Sequence, residues 1–119
     1  RNLSTGLPDI PRALEFGLVA ALGTDSLASN TDLDLFGEAV FVLERYPEVS
    51  PEAVLAMMTL GGAAALGRSR SFGTIEAGKS SRIMAVNVPE SISRKQLAES
   101  ILLQGKRGER QWVSSHTNV

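Results

Sequence analysis

The sequence predicts an α/β protein in which helices outweigh strands, and three stretches support this prediction. Residues 18–22 form a continuous apolar run between Gly17 and Gly23, which is typical of a strand buried on both faces of a parallel sheet. A buried helical turn is the alternative for this run. Residues 32–46 repeat apolar side chains with the period of a helix. Residues 82–88, "RIMAVNV", have the composition of a second strand.

Turn and capping residues predict the other helices of the first half. Residues 7–16 predict a short helix, because its prolines come early, where a missing N–H costs little. A further helix from residue 51 to about residue 58 is predicted, with Ser50 as its N-cap. The glycine pair at positions 61 and 62 should bend or break this helix before a last turn that ends at residue 67.

The pattern changes after residue 67, where we expect a strand, a tight turn and a second strand. The turn falls in "TIEAGKSS", residues 74–81, and Pro89 ends the predicted hairpin. Residues 93–103 then predict an amphipathic helix, which is followed by a charged tail that contains Trp112. We therefore divide the chain into residues 1–66 and residues 67–119.

The composition fits one modest domain and argues against several classes of protein. The 119 residues are 43% apolar and 21% charged, and the formal net charge is -1. This balance gives no long-range attraction to nucleic acid or to an anionic membrane, and no apolar run approaches the ~20 residues of a membrane span. The absence of cysteine excludes disulfides and thiolate metal sites. We expect a cytoplasmic protein without nucleic-acid or membrane partners.

Residues 73–80, "GTIEAGKS", match the phosphate-loop pattern G-x-x-x-x-G-K-[ST]. That loop works only between a buried strand and a helix, because the positive end of the helix must face the phosphates. Here the preceding "GRSRSF" is not a buried strand, and the following "SRIMAVNV" is not helical. The context therefore predicts a β-turn and not a nucleotide site.

A lone carboxylate, Asp25, follows the predicted strand at residues 18–22. The C-terminal ends of buried parallel strands are where α/β barrels place catalytic groups. The alternative is structural, since Asp25 and its polar neighbours can cap the next helix or build turns. These neighbours are Ser26, Ser29 and Asn30.

Four segments, in order, resemble the C-terminal part of the metal-dependent amidohydrolases, and within them the cytosine-deaminase and chlorohydrolase-like branch. "GTDSLASN" (23–30) resembles the end of the eighth barrel strand, and "GLPDIPRALEFGLVAALGTDS" (6–26) resembles the short seventh helix together with that strand. "EAVLAMMTLGGAAALG" (52–67) is similar to the helix before the chain leaves the barrel. "GTIEAGKSSRIMAV" (73–86) resembles the return into a small β-sandwich.

This resemblance implies the last strand and helices of a (β/α)8 barrel, followed by a short β-hairpin from a β-sandwich subdomain. A full barrel typically needs ~250 residues, so the chain looks like the C-terminal piece of a larger enzyme. The sequence departs from the family pattern at Ser81 and Arg82, where Ala-Asp is common. It also lacks a counterpart for the family's metal-binding histidines, because its only histidine is His116 in the tail.

The resemblance further implies that Asp25 is both the catalytic carboxylate and a ligand of a divalent metal, zinc or iron. A metal lowers the pKa of its bound water toward ~7, and a carboxylate can take the proton of that water and pass it to a leaving amine. Thr24 and Ser26 would orient Asp25 by hydrogen bonds, or else serve as turn formers. We expect no metal in the 119-residue chain alone, because a catalytic zinc site typically needs three protein ligands.

The resemblance implies that the parent protein is a hydrolase that acts on C–N bonds, or alternatively C–Cl bonds, of a small heterocyclic substrate. The 119-residue chain alone should be inactive, and we expect it to form a homo-oligomer through its unpaired strand. The alternative function is a non-catalytic interaction module built of helices and β-structure, in which Asp25 is only a cap.

Overall fold

Five short α-helices dominate the part of the chain that the computed structural model describes, residues 8–24 and 34–113. The helices are α1 (Ile10–Glu15), α2 (Leu35–Arg45), α3 (Pro51–Met58), α4 (Leu60–Ala65) and α5 (Leu97–Lys106), and a 3₁₀ turn (Arg94–Gln96) precedes α5. Two strands, β1 (Met84–Val86) and β2 (Arg110–Trp112), form an antiparallel pair. Each helix that the sequence predicts is present. In the described residues, no helix has the length and apolar character that a membrane crossing requires.

Side-chain caps explain where the two central helices begin. The Asp34 carboxylate accepts a hydrogen bond of 3.1 Å from the Phe36 N–H at the start of α2. At the start of α3, Ser50 Oγ accepts a hydrogen bond of 3.1 Å from the Ala53 N–H. Pro51 occupies the first turn of α3, where its missing N–H leaves no partner unsatisfied. The predicted cap at Ser50 is therefore confirmed.

The core forms where α2, α3 and α5 pack together, with α4 beside α3 and β1 beside α5. Seven buried side chains build its central cluster: Phe36, Ala39, Val42, Tyr46, Val49, Val54 and Leu102. Met57 is buried and Met58 packs against the cluster, as expected for methionines that fill a core. In this arrangement the apolar segment at residues 18–22, which precedes Asp25, lies at the edge of the helices.

The strand predicted at residues 18–22 is wrong for this structure, because the segment has no regular secondary structure and belongs to no sheet. Leu18 is 60% exposed and Val19 is 76% exposed. Two backbone hydrogen bonds anchor the segment, from the Leu18 N–H to the Ala13 carbonyl and from the Leu22 N–H to the Met57 carbonyl, both at 3.2 Å. A parallel strand needs neighbouring strands for its remaining backbone groups, and the described residues form only the β1–β2 pair.

The predicted hairpin is also wrong in its pairing, although its turn and its second strand are present. Residues 76–79 form the turn, in which the Lys79 N–H donates to the Glu76 carbonyl at 3.1 Å. The partner of β1 is β2 in the tail, with Met84 opposite Trp112 and Val86 opposite Arg110. The chain reaches this position because it reverses after α5 at Gly108, whose φ is +90°.

Candidate functional site

The two residues at the centre of the predicted site, Asp25 and Ser26, lie outside the described residues, as do Ser29, Asn30 and His116. Their catalytic, supporting and structural interpretations therefore remain predictions. Thr24 is described and is partly buried at the end of the apolar segment. What the structure does place is the chain on both sides of Asp25.

On the N-terminal side, the apolar segment rests on the junction between α3 and α4. Leu22 donates to the Met57 carbonyl at the end of α3 and packs against the core. Ala20 lies over Gly61, and a Cβ placed on Gly61 would stand only 2.0 Å from the Ala20 carbonyl oxygen. Gly61 is thus required for the close approach of this segment to α4. The sequence predicts a helix bend at this glycine, but Gly61 lies inside α4 and provides the space in which Ala20 contacts the helix.

On the C-terminal side, Asp34 is held by Arg110 from β2 in an arrangement that we call the Asp34–Arg110 clasp. Arg110 Nη1 donates to Asp34 Oδ1 at 3.0 Å and to the Gly105 carbonyl at 2.7 Å. The guanidinium also lies 5.0 Å from the centre of the Phe36 ring, a geometry that favours a cation–π contact. The clasp therefore joins the start of α2 to the end of α5 and to β2.

Close packing of the Phe36 ring against α5 supports the clasp. A Cβ on Gly105 would come within 2.2 Å of the Phe36 ring, so glycine is needed for the ring to lie against α5. Both ionic side chains are only part-exposed, Arg110 at 32% and Asp34 at 25%. Partial burial reduces the screening of their attraction by solvent. The clasp is therefore a stronger tie than an ion pair on the open surface.

The clasp is the feature of this region that sequence reasoning missed. Asp34 immediately precedes the apolar face of α2, so its role as a cap was readable from the sequence. Arg110 had no such signal, because it lies 76 positions away from Asp34 and in a tail with no predicted structure. Only the reversal of the chain after α5 brings the two side chains together.

In the segment that matches the phosphate-loop pattern, the polar side chains bind one another. Lys79 Nζ donates to Thr74 Oγ1 at 2.6 Å and lies 3.0 Å from the Glu76 carboxylate, while Thr74 also donates to Glu76. The hydrogen bond from Thr74, with the nearby Lys79 charge, lowers the pKa of Glu76. The chain continues into β1 without regular secondary structure and does not form a helix. The predicted turn is therefore confirmed.

A metal centre would need several ligating side chains close together. Across residues 8–24 and 34–113, no three His, Cys, Asp or Glu side chains are grouped so that they could hold a metal ion. The described residues therefore do not form a metal site by themselves.

Comparison with known proteins gives a consistent result over most of the chain. The profile of the amidohydrolase family matches residues 1–109. A 5-methylthioadenosine/S-adenosylhomocysteine deaminase of Syntrophobacter fumaroxidans is 39% identical over 93 residues, which are 72% of this chain and 21% of that protein. The enzyme of the same name from Carboxydothermus hydrogenoformans is 35% identical over 97 residues, 76% of this chain and 22% of that protein.

A third relative with this name, from Halalkalibacterium halodurans, is 41% identical over 85 residues, which are 66% of this chain and 19% of that protein. The chain thus spans about a fifth of the length of the curated relatives it matches. The family profile covers most of the chain, including the apolar segment at residues 18–22 and all five helices, and it ends one residue before Arg110. The resemblance found in the four sequence segments is therefore confirmed, and the chain belongs to the amidohydrolase family.

Proposed function

We propose that this chain is the C-terminal part of a longer hydrolase that removes an amino group from a nitrogen heterocycle. The observation that carries the proposal is the 39% identity over 93 residues to a relative named as a deaminase, together with the family match over residues 1–109. No observation supports C–Cl hydrolysis. The family match also disfavours the alternative of a non-catalytic interaction module.

The names of the relatives suggest a class of substrate. Both compounds in those names are adenosines that carry a sulfur substituent at the 5′ position. We propose that the longer protein hydrolyses the bond between the purine ring and its exocyclic amine in such a 5′-thioadenosine. Water adds its oxygen to the ring carbon, the C–N bond breaks, and the amine leaves as ammonia with one proton from the water, while the other proton stays on the adjacent ring nitrogen of the oxo product.

Asp25 is the residue that we assign to proton transfer in this reaction. Its carboxylate takes a proton from the attacking water and returns it to the departing amine, as a general base that then acts as a general acid. Thr24 and Ser26 flank it in the sequence and hold its orientation through hydrogen bonds. The position of Asp25 after the apolar segment, in the stretch that resembles the end of the eighth barrel strand, supports this assignment.

Amidohydrolases are in general metal-dependent, and the proposal includes a divalent metal, zinc or iron, which would activate water when bound. Asp25 would be one of its ligands. One carboxylate is too few for a catalytic site, and the described residues provide no group of three ligands. The remaining ligands would therefore come from other segments of the longer protein.

The proposal is tested by ammonia release from a panel of amines with the purified longer protein. The panel contains 5′-methylthioadenosine, S-adenosylhomocysteine, adenosine and cytosine. We expect the two 5′-thioadenosines to give the highest kcat/KM. Preference for cytosine would refute the substrate class but keep the reaction, and no ammonia from any of the four would refute the deaminase function.

A further inference from the structure

We propose that the outer face of α5 is an interface with a second copy of this chain, in which two α5 helices pack antiparallel across a two-fold axis. The outer face is defined by Glu99, Leu103 and Arg107, which follow one another at intervals of four residues. Residues at this interval lie on the same side of a helix, and all three line one shallow groove on the protein surface. The interface is independent of the reaction that the longer protein catalyses.

The outer face of α5 is exposed, whereas the other side of the helix packs into the core. Ala98 and Leu102 are buried, but Leu103 is 39% exposed. Glu99 and Arg107 are exposed as well. Within residues 8–24 and 34–113, neither of these two charged side chains forms an ion pair. An apolar side chain therefore lies on this surface between two charges of opposite sign.

The charges on the outer face are complementary to a second copy of the same face. Glu99 and Arg107 each lie about 6 Å along the helix axis from Leu103, at 1.5 Å per residue and in opposite directions. A two-fold axis beside Leu103 makes the second helix antiparallel, so that Glu99 faces the partner's Arg107 and Arg107 faces the partner's Glu99. A parallel arrangement would bring like charges together, and the charge pattern therefore selects the antiparallel one.

The apolar part of this surface extends beyond Leu103. Ile92 and Pro89, from the loop between β1 and α5, line the same groove. A partner helix over the groove would remove carbon atoms of these three side chains from water, which favours association. Apolar contact at the centre then provides the attraction, and the two flanking ion pairs determine the orientation of the partner.

The test is sedimentation equilibrium of the longer protein with single charge reversals in α5. Glu99→Arg places two positive charges opposite each other at both pairs, and Arg107→Glu places two negative charges there. We expect each variant to raise the dimer dissociation constant by ~10-fold or more, because like charges across an interface oppose association. Lys106→Glu is the matched control, because Lys106 is exposed in the last turn of α5 but does not line the groove. Its dissociation constant should stay within ~3-fold of the wild type.

A mixture of the two single variants distinguishes charge pairing from general damage to α5. In a mixed dimer, the two positive charges of Glu99→Arg face the two negative charges of Arg107→Glu. We expect the mixture to recover the wild-type dissociation constant within ~3-fold. The double variant Glu99→Arg/Arg107→Glu should recover it as well, because both members of each pair are reversed together.

Several results would overturn the proposal. One is a wild-type longer protein that is monomeric at micromolar concentration. Another is a mixture that associates no better than its two components, and a third is an equal loss in Lys106→Glu. If another segment of the same longer protein covers this face, the charge reversals will lower the midpoint of urea unfolding and leave assembly unchanged, which also contradicts the proposal. Ammonia release tests the proposed function separately, since a dimer that deaminates none of the four amines would refute that function and leave this interface intact.

Discussion

Replacement of Gly61 by alanine should destabilise the protein, although alanine is the better helix former. On an exposed helix the change from glycine to alanine stabilises by roughly 0.5–1 kcal/mol. At position 61 the new Cβ would stand 2.0 Å from the Ala20 carbonyl oxygen, and ordinary contact begins at 3.4 Å. The Ala20 segment must therefore move, and the hydrogen bond from Leu22 to Met57 is lost with it.

The net loss in the free energy of unfolding should be about 1–3 kcal/mol, since overpacking against backbone usually costs this much. Gly62→Ala is the matched control in the same helix, because its Cβ would meet nothing closer than the Met57 carbonyl oxygen at 3.9 Å. This control should be neutral or more stable by up to ~1 kcal/mol. Urea unfolding of both variants gives the two values from their midpoints. Equal or greater stability of Gly61→Ala would refute the close packing of the apolar segment on α4.

Three further predictions concern charge, assembly and metal. NMR titration should give Glu76 a pKa below its usual value, and Thr74→Val should raise it, because the Thr74 hydrogen bond is the main cause of the lowering. The stabilising contribution of ionised Glu76 is then present at neutral pH and lost as the pH falls through the lowered pKa; an unshifted pKa would contradict the turn geometry. The 119-residue chain should be a homo-oligomer by light scattering at micromolar concentration, because residues 18–22 expose apolar side chains and unpaired backbone; a monomer would count against this. Elemental analysis of the dialysed chain should find no stoichiometric transition metal, since Asp25 is a single ligand, and stoichiometric zinc would contradict the shared-ligand proposal.

The helices were predictable because their signals are local. Ser50 and Pro51 define the start of α3 within a few positions of sequence. Gly17, with φ of +74°, closes α1 through a hydrogen bond from its N–H to the Leu14 carbonyl, as expected of a helix stop. Such features depend on residues that are close together along the chain, so they can be predicted from the sequence.

Features that depend on distant segments were not predictable in the same way. The composition of residues 18–22 is that of a buried strand, but a strand also requires neighbours, which the described residues do not provide. The pairing of β1 with β2, and the contact of Arg110 with Asp34, depend on the reversal at Gly108. A glycine in a charged tail gives no sign of which segment the chain will return to.

The central claim is that Asp25 transfers the proton during deamination, and the turnover of Asp25→Asn tests it most directly. The measurement is kcat for ammonia release from 5′-methylthioadenosine by the longer protein, with folding checked by urea unfolding. Asparagine has nearly the same size but cannot accept the proton, so we predict a loss of ~10²–10⁴-fold in kcat in a folded variant. Near-normal turnover of Asp25→Asn would contradict the account and would leave Asp25 as a residue that only caps or turns the chain.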